Sequence, residues 1–114
     1  MRYALLVCAD EKAVLSDHER SRRVAAAASF ERQMQARGVL LAGVPLHPTE
    51  TAATVRCWDG GDLEIADAPF AETREQVAGF YLLECAGLDE AIEVAAKVPA
   101  AWYGSIEVRP VSGS

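Results

Sequence analysis

Three predicted β-strands carry apolar side chains on both faces, and this feature limits the possible folds more than any other. In residues 2–9, 39–46 and 79–85 both alternating sets of positions are largely apolar, which is typical of strands that are buried on both sides. The two helices that the sequence predicts, at 16–37 and 88–98, are enough to cover one face of a sheet. Because an uncovered apolar face favours self-association, we expect a homodimer in which two sheets face each other.

The first helix has sequence signals at both of its ends. Ser16 and Glu19 have the spacing of a capping box, in which Ser16 accepts a backbone hydrogen bond and Glu19 reaches back. Gly38 supplies the left-handed residue that ends many helices. The apolar positions then predict a buried face made of Val24, Ala27, Phe30 and Met34.

The middle of the chain predicts a β-hairpin. Residues 59–62 read Asp-Gly-Gly-Asp, a turn signal between predicted strands at 51–58 and 63–67. A last strand is predicted at 105–110, which gives the order β-α-β-β-β-β-α-β. This order predicts the α+β class and a ferredoxin-like plait with one inserted hairpin.

Chain length and charge exclude several classes of protein. The 114 residues predict one domain, residues 1–111, followed by a short tail, 112–114. A net charge of −6 argues against nucleic acid as a partner, because nonspecific binding requires that phosphates be neutralised. The one basic run, residues 20–23 (Arg-Ser-Arg-Arg), lies beside acidic residues and is interpreted as a solvated helix face rather than a phosphate grip.

The apolar run at residues 4–9 is far shorter than the ~20 residues of a membrane helix, and it lacks a small-residue cleavage site. We therefore expect a cytoplasmic protein with no membrane partner. Cys8, Cys57 and Cys85 are odd in number and widely spaced, which predicts buried thiols rather than disulfides. No pair of ligand-type residues has metal-binding spacing and no phosphate loop is present, so neither a metal nor a cofactor is predicted.

Residues 67–81 form the stretch that most resembles a cleft wall or a subunit contact. Pro69 is expected to stiffen this stretch and Phe70 to anchor it, while residues 72–76 are expected to be exposed before the next strand begins at Gly79. Glu72 and its polar neighbours are interpreted either as a ligand-binding rim or as a solvent-facing surface.

Asp67 and Arg56 are the best candidate pair, because they are predicted on adjoining hairpin strands where a carboxylate and a guanidinium could meet. Arg56 could hold an anionic ligand while Asp67 orients it or acts as a base. The alternative is an ion pair that only stabilises the loop. Tyr81 is interpreted either as a hydrogen-bond donor in a cleft or as a core aromatic. His47, which precedes Pro48 at a strand end, is the second candidate acid–base group.

Several segments resemble the YCII-related proteins and, more closely, their branch with a DGPF motif. Residues 39–46, 53–56, 67–76 and 79–81 carry the resemblance, together with residues 88–91 and 103–111. The resemblance implies a dimeric α/β barrel of ferredoxin-like protomers. It also implies a possible link to extracytoplasmic-function sigma factors, and one YCII relative is described as a dehydrochlorinase of a chlorinated aromatic.

The chain departs from the family pattern at functionally relevant positions. The motif glycine is Ala68, and the usual glutamate of a Gly-Glu-Pro-Leu segment is Val44. The His-Asp pair of the YCII proteins falls near Ala26 and on Val98, and neither position keeps that chemistry. A catalytic role taken from the pair is therefore unsupported.

Two functions of different class remain. The first is a homodimeric module that binds a small molecule, with Arg56, Phe70, Glu72 and Tyr81 in contact with it. The second is a metal-independent acid–base enzyme of lyase or isomerase type acting on an acidic or aromatic substrate, with Asp67 and His47 as its catalytic groups.

Overall fold

The computed structural model describes residues 1–113, so Ser114 of the predicted tail lies outside the described residues. Its elements follow the predicted order and confirm the α+β class: two helices and six strands, all paired antiparallel. The strands are β1 (Arg2–Ala9), β2 (Leu40–Pro45), β3 (Thr54–Cys57), β4 (Leu63–Ala66), β5 (Gln76–Glu84) and β6 (Ser105–Pro110); the helices are α1 (Asp17–Ala36) and α2 (Leu88–Lys97).

The strands form a four-stranded sheet in the order β2-β5-β1-β6 and a separate β3–β4 hairpin. The central strands pair along most of their length, from Arg2 opposite Glu84 to Ala9 opposite Gln76, with one bulge after Val7. In the hairpin turn, Gly60 and Gly61 have φ angles of +94° and +88°. Only glycine adopts such angles without strain, so the predicted turn is confirmed for a physical reason.

Both helices pack on one face of the four-stranded sheet. Leu5 and Leu83 are fully buried there, beside Phe30 and Met34 of α1 and Val94 of α2. Ser16 caps α1 by accepting a hydrogen bond from the backbone N–H of Glu19 at 3.0 Å, as predicted, while the Glu19 carboxylate pairs with Arg22 and Arg23 instead of reaching back.

Three predicted features are wrong in detail. The strand predicted from Thr51 begins only at Thr54, because Thr49–Thr51 form a 3₁₀ turn that the Thr51 hydroxyl stabilises by donating to the Pro48 carbonyl at 2.7 Å. Val24 is 68% exposed rather than buried, since the packed face of α1 begins further along the helix. Cys57 is exposed because the hairpin that carries it lies off the core.

The outer face of the sheet, on the side away from the helices, is uncovered; it is mainly apolar on β2, β5 and β1, whereas β6 presents the charged Glu107 and Arg109 there. Val44, Val77 and Phe80 are between 36% and 43% exposed, and Leu6 and Leu82 are half-buried. The described chain is flat, with extents of 49 × 42 × 18 Å. Within residues 1–113, no helix is both long enough and apolar enough to cross a membrane.

Candidate functional site

The hairpin register does not bring Arg56 and Asp67 together. Arg56 lies opposite Glu64, and β4 ends at Ala66, before Asp67 is reached. No ion pair joins Arg56 to Asp67 among residues 1–113, so the predicted cross-strand pair is wrong. Asp67 is exposed just beyond the end of the strand.

Phe70 does not anchor its segment in the core. Its ring is 75% exposed, and the Arg56 guanidinium lies 5.0 Å from the ring centroid, within the range of a cation–π contact. The structure therefore brings together Arg56 and Phe70, two of the predicted ligand-contacting residues, on the surface of the hairpin.

Gln76 holds the loop that precedes β5 in place. Its side chain is buried, whereas the sequence predicts it to be exposed. Its side-chain oxygen accepts from the Glu11 backbone N–H at 3.0 Å, and its amide nitrogen donates to the carbonyls of Thr73 and Arg74. The Glu11 carboxylate in turn accepts from the backbone N–H of Thr49 at 3.1 Å and from its hydroxyl. These bonds join three loops that are far apart in sequence.

The three joined loops enclose a cavity of about 440 Å³, here called the loop groove. Glu72 lines this groove, and His47 lies exposed beside the lining residue Pro48. Its wall carries three carboxylates, those of Glu11, Glu50 and Glu72, against one lysine, which makes it a poor match for an anionic ligand. The lining residues are Glu11, Lys12, Pro48, Thr49, Glu50, Pro69, Ala71, Glu72, Thr73 and Gln76.

We expect Gln76→Leu to lower the free energy of unfolding by about 1–3 kcal/mol, because the Glu11 N–H and the Thr73 carbonyl would be left without their partner. Urea denaturation measures this change. Gln35→Leu, the same substitution at an exposed position of α1, serves as the control and should have little effect. Equal stability of the two variants would contradict the anchoring role of Gln76.

Tyr81 lies in the core rather than on the segment's surface. Its ring is 8% exposed and packs against Phe30 with centroids 5.2 Å apart. The hydroxyl donates to the Glu31 carboxylate at 3.0 Å. Burial, followed by the hydrogen bond to Glu31, raises the pKa of Tyr81.

The raised pKa predicts a loss of stability at alkaline pH. In the unfolded chain the phenol ionises near its ordinary pKa of about 10, whereas the folded protein keeps it protonated. The stabilisation is therefore complete below pH ~10 and falls above it by about 1.4 kcal/mol per pH unit. Tyr81→Phe should remove this contribution from the alkaline slope, as measured by urea denaturation between pH 9 and 11. An unchanged slope would contradict the assignment.

A second groove, which the sequence pattern does not predict, lies between α1 and the 3₁₀ turn Pro99–Trp102. This basic groove is a cavity of about 440 Å³. The Arg23 guanidinium lies 3.5 Å from the centroid of the Tyr103 ring, and the Trp102 side chain is 88% exposed. The lining residues are Glu19, Arg22, Arg23, Ala26, Lys97, Pro99, Trp102 and Tyr103.

The charges of the basic groove are only partly neutralised. Glu19 alone pairs with both Arg22 and Arg23, at 3.5 and 3.3 Å, while Lys97 pairs at 3.0 Å with Glu93, which does not line the groove. The basic run on α1 was interpreted as a solvated face because the aromatic turn that completes the groove lies about 80 residues later in the chain. The adjacent aromatic residues Trp102 and Tyr103 are the one signal that the sequence offers for this groove.

Ala26 lines the basic groove and the buried Val98 directly precedes its lining residue Pro99, so the positions to which the resemblance assigns the family's His-Asp pair lie at this groove.

Residues 1–113 hold no group of three or more His, Cys, Asp or Glu side chains arranged for a metal ion.

Comparison with known proteins identifies the family of this chain. The family model described as the YCII-related domain matches residues 1–113. An uncharacterised protein of Rhizobium meliloti (strain 1021) is 40% identical over 116 residues, a match that covers 98% of this chain and 93% of that protein. The chain belongs to the YCII-related family.

Proposed function

We propose that this protein is a homodimeric module that binds a small anionic molecule with an aromatic or apolar body. One observation carries the proposal: the basic groove surrounds a cavity of about 440 Å³ with three cationic side chains and two aromatic rings. Ligand pockets in proteins span roughly 300–1,000 Å³ and combine apolar walls with a few polar groups that fix orientation.

The electrostatics of the groove favour an anion. A chain of net charge −6 concentrates Arg22, Arg23 and Lys97 around one cavity with Glu19 as the only lining carboxylate. Arg23 is already stacked on Tyr103, so less side-chain freedom is lost when it donates to a ligand carboxylate. The exposed indole of Trp102 provides a flat apolar surface on which the ligand's body can stack.

The dimeric part of the proposal is supported by the sheet. Its strand order, β2-β5-β1-β6 with both helices on one side, matches a ferredoxin-like plait, and its outer face carries Val44, Val77 and Phe80 in an exposed position. Two such faces packed together would form the dimeric α/β barrel that the DGPF-branch resemblance implies. Light scattering on an eluting column peak should give twice the protomer mass of 12.2 kDa; a mass of one protomer at micromolar concentration would contradict it.

The segment from 67 to 81 has a secondary place in this proposal. Arg56, Phe70 and Glu72 stay predicted contacts of a separate ligand, because none of them lines the basic groove and the loop groove shares no lining residue with it. Tyr81 supports the sheet from within the core. An acid–base enzyme using Asp67 and His47 is less favoured because both side chains are exposed, where water competes for a substrate. A link to a sigma factor stays a proposal from the resemblance, and a cytoplasmic location stays a proposal from the sequence.

Tryptophan fluorescence provides a direct test of the groove. The chain has two tryptophans, so Trp58→Phe leaves Trp102 as the only reporter. Titration with benzoate should change its emission saturably, whereas benzamide, which has the same ring without the charge, should not. Arg23→Ala in this background should weaken benzoate binding about ten- to a hundredfold, the usual effect of a lost charge-assisted hydrogen bond.

Arg32→Ala is the matched control, because Arg32 is an exposed arginine on the same helix that does not line the groove. We expect its benzoate affinity to equal that of the parent. Equal effects of benzoate and benzamide, or equal affinities of the Arg23 and Arg32 variants, would contradict an anion site in the groove.

A further inference from the structure

The β3–β4 hairpin presents an apolar face to solvent. Val55 pairs with Ile65 and Cys57 pairs with Leu63, and strand alternation places all four side chains on one face. Val55, Leu63 and Ile65 are between 59% and 62% exposed, and Cys57 is exposed too. We call this surface the arm face.

Nothing within the described chain covers the arm face. The two strands contact each other, with only sparse contacts to other elements. The radius of gyration is 16.2 Å, against about 13 Å for a compact chain of this length. A hairpin of two strands is marginally stable by itself in water. The β3–β4 hairpin, here called the arm, therefore requires a surface against which its apolar side chains can pack.

We infer that the arm face packs against a second copy of this chain and extends the contact made by the outer face of the four-stranded sheet. This inference rests on the proposed homodimer and identifies the element that completes it. An interface of standard size buries ~800 Å² on each partner, from about 20–30 residues. On the outer sheet face, Val44, Val77, Phe80 and, at the end of β2, Leu46 are 36% to 49% exposed, while β6 adds the charged Glu107 and Arg109. The arm face would supply the further apolar area that such an interface needs.

Symmetry and charge identify the partner as another copy. In a two-fold dimer each copy supplies one arm face and one uncovered sheet face. A single symmetric contact therefore buries both apolar surfaces of both copies. The turn of the arm carries Asp59 and Asp62, and β4 carries Glu64 on its other face. These carboxylates repel a nucleic acid or an anionic lipid surface.

Ile65→Asp tests the arm against a matched substitution. Ile65 is 62% exposed and Ile92 of α2 is 51% exposed, so an aspartate at either position would reach water in a lone protomer. At the proposed contact, Ile65→Asp would bury an unpaired carboxylate, and we expect the dimer dissociation constant to rise at least about a hundredfold. Ile92→Asp should leave it unchanged. Sedimentation velocity over a dilution series measures both.

Thiol reactivity tests the arm without any change of sequence. Burial raises the pKa of the Cys8 and Cys85 thiols, and a raised pKa slows their reaction, since the thiolate is the attacking form. Cys57 is the one fully exposed cysteine among residues 1–113, and Cys57→Ser identifies its signal. Its rate with 5,5′-dithiobis(2-nitrobenzoate) should fall at least about tenfold as protein concentration rises through the dimer dissociation constant.

The outcomes separate the arm from the proposed function. A wild-type protein that stays monomeric would overturn both the homodimer and the arm, while leaving benzoate binding to be decided by its own titration. A stable dimer that is unaffected by Ile65→Asp, with a Cys57 rate independent of concentration, would overturn the arm alone. A concentration-dependent Cys57 rate supports the arm even if the Ile65→Asp chain does not fold.

Discussion

Replacing Leu83 with alanine should lower the free energy of unfolding by about 2–5 kcal/mol, the usual cost of a cavity at a fully buried leucine. Leu83 is 0% exposed and lies on β5 between Tyr3 of β1 and Leu40 of β2. The backbone hydrogen bonds of the sheet fix both neighbouring strands, so the structure around residue 83 cannot collapse to fill the lost volume.

Leu88→Ala is the matched control for this prediction. Leu88 begins α2 and is 50% exposed, so the same loss of methyl groups leaves no enclosed cavity, and alanine is the better helix former. We expect a change below about 1 kcal/mol. Urea denaturation of both variants under one set of conditions compares them. A Leu88 variant as unstable as the Leu83 variant would contradict the assignment of this cost to an enclosed cavity at the sheet centre.

Local sequence signals predicted the elements of this fold well. The Ser16 cap, the glycine at position 38 with φ of +76° and the glycine pair of the hairpin each act over a few residues, so they can be read directly. In β6 the alternating residues Ile106 and Val108 pack against the core, as the period-2 pattern of a half-buried strand favours.

Long-range contacts explain what the sequence could not predict. Gln76 was expected in an exposed polar run, but its hydrogen bond to Glu11 joins residues 65 positions apart and draws the side chain inward. Phe70 was expected to anchor its loop, yet the hairpin that it accompanies extends away from the core. Neither outcome depends on the residue's own pattern, because each is decided by where another segment lies.

The same limit applies to the candidate site. The register of the hairpin strands separates Arg56 from Asp67. Thr54 pairs with Ala66, and this pairing places Glu64 opposite Arg56. The basic groove requires that the start of α1 meet the turn after α2, and Arg23 contacts Tyr103 across 80 positions of sequence. A basic run in a helix and an exposed tryptophan are each uninformative until the fold brings them together.

Gly104→Ala should lower the free energy of unfolding by about 3 kcal/mol, at the upper end of the cost of overpacking. A methyl group at this position would lie 2.1 Å from the Cys8 carbonyl oxygen and 3.2 Å from the Cα of Ala9. Both are backbone atoms of β1, a central strand of the sheet. They cannot move aside like a flexible side chain, so β6 must shift away from β1 where the two strands meet.

The shift should also reach the basic groove. Gly104 donates its backbone N–H to the Ala100 carbonyl at 2.7 Å, which ties the 3₁₀ turn carrying Trp102 to the start of β6. We therefore expect the Gly104 variant to lose benzoate affinity at temperatures where it is still folded. Gly87→Ala is the control, because its added methyl group meets nothing within 4 Å. As the N-cap of α2 this position should lose less than about 1 kcal/mol, and benzoate affinity should not change. A Gly104 variant with full stability and full affinity would contradict a groove wall positioned by this close backbone approach.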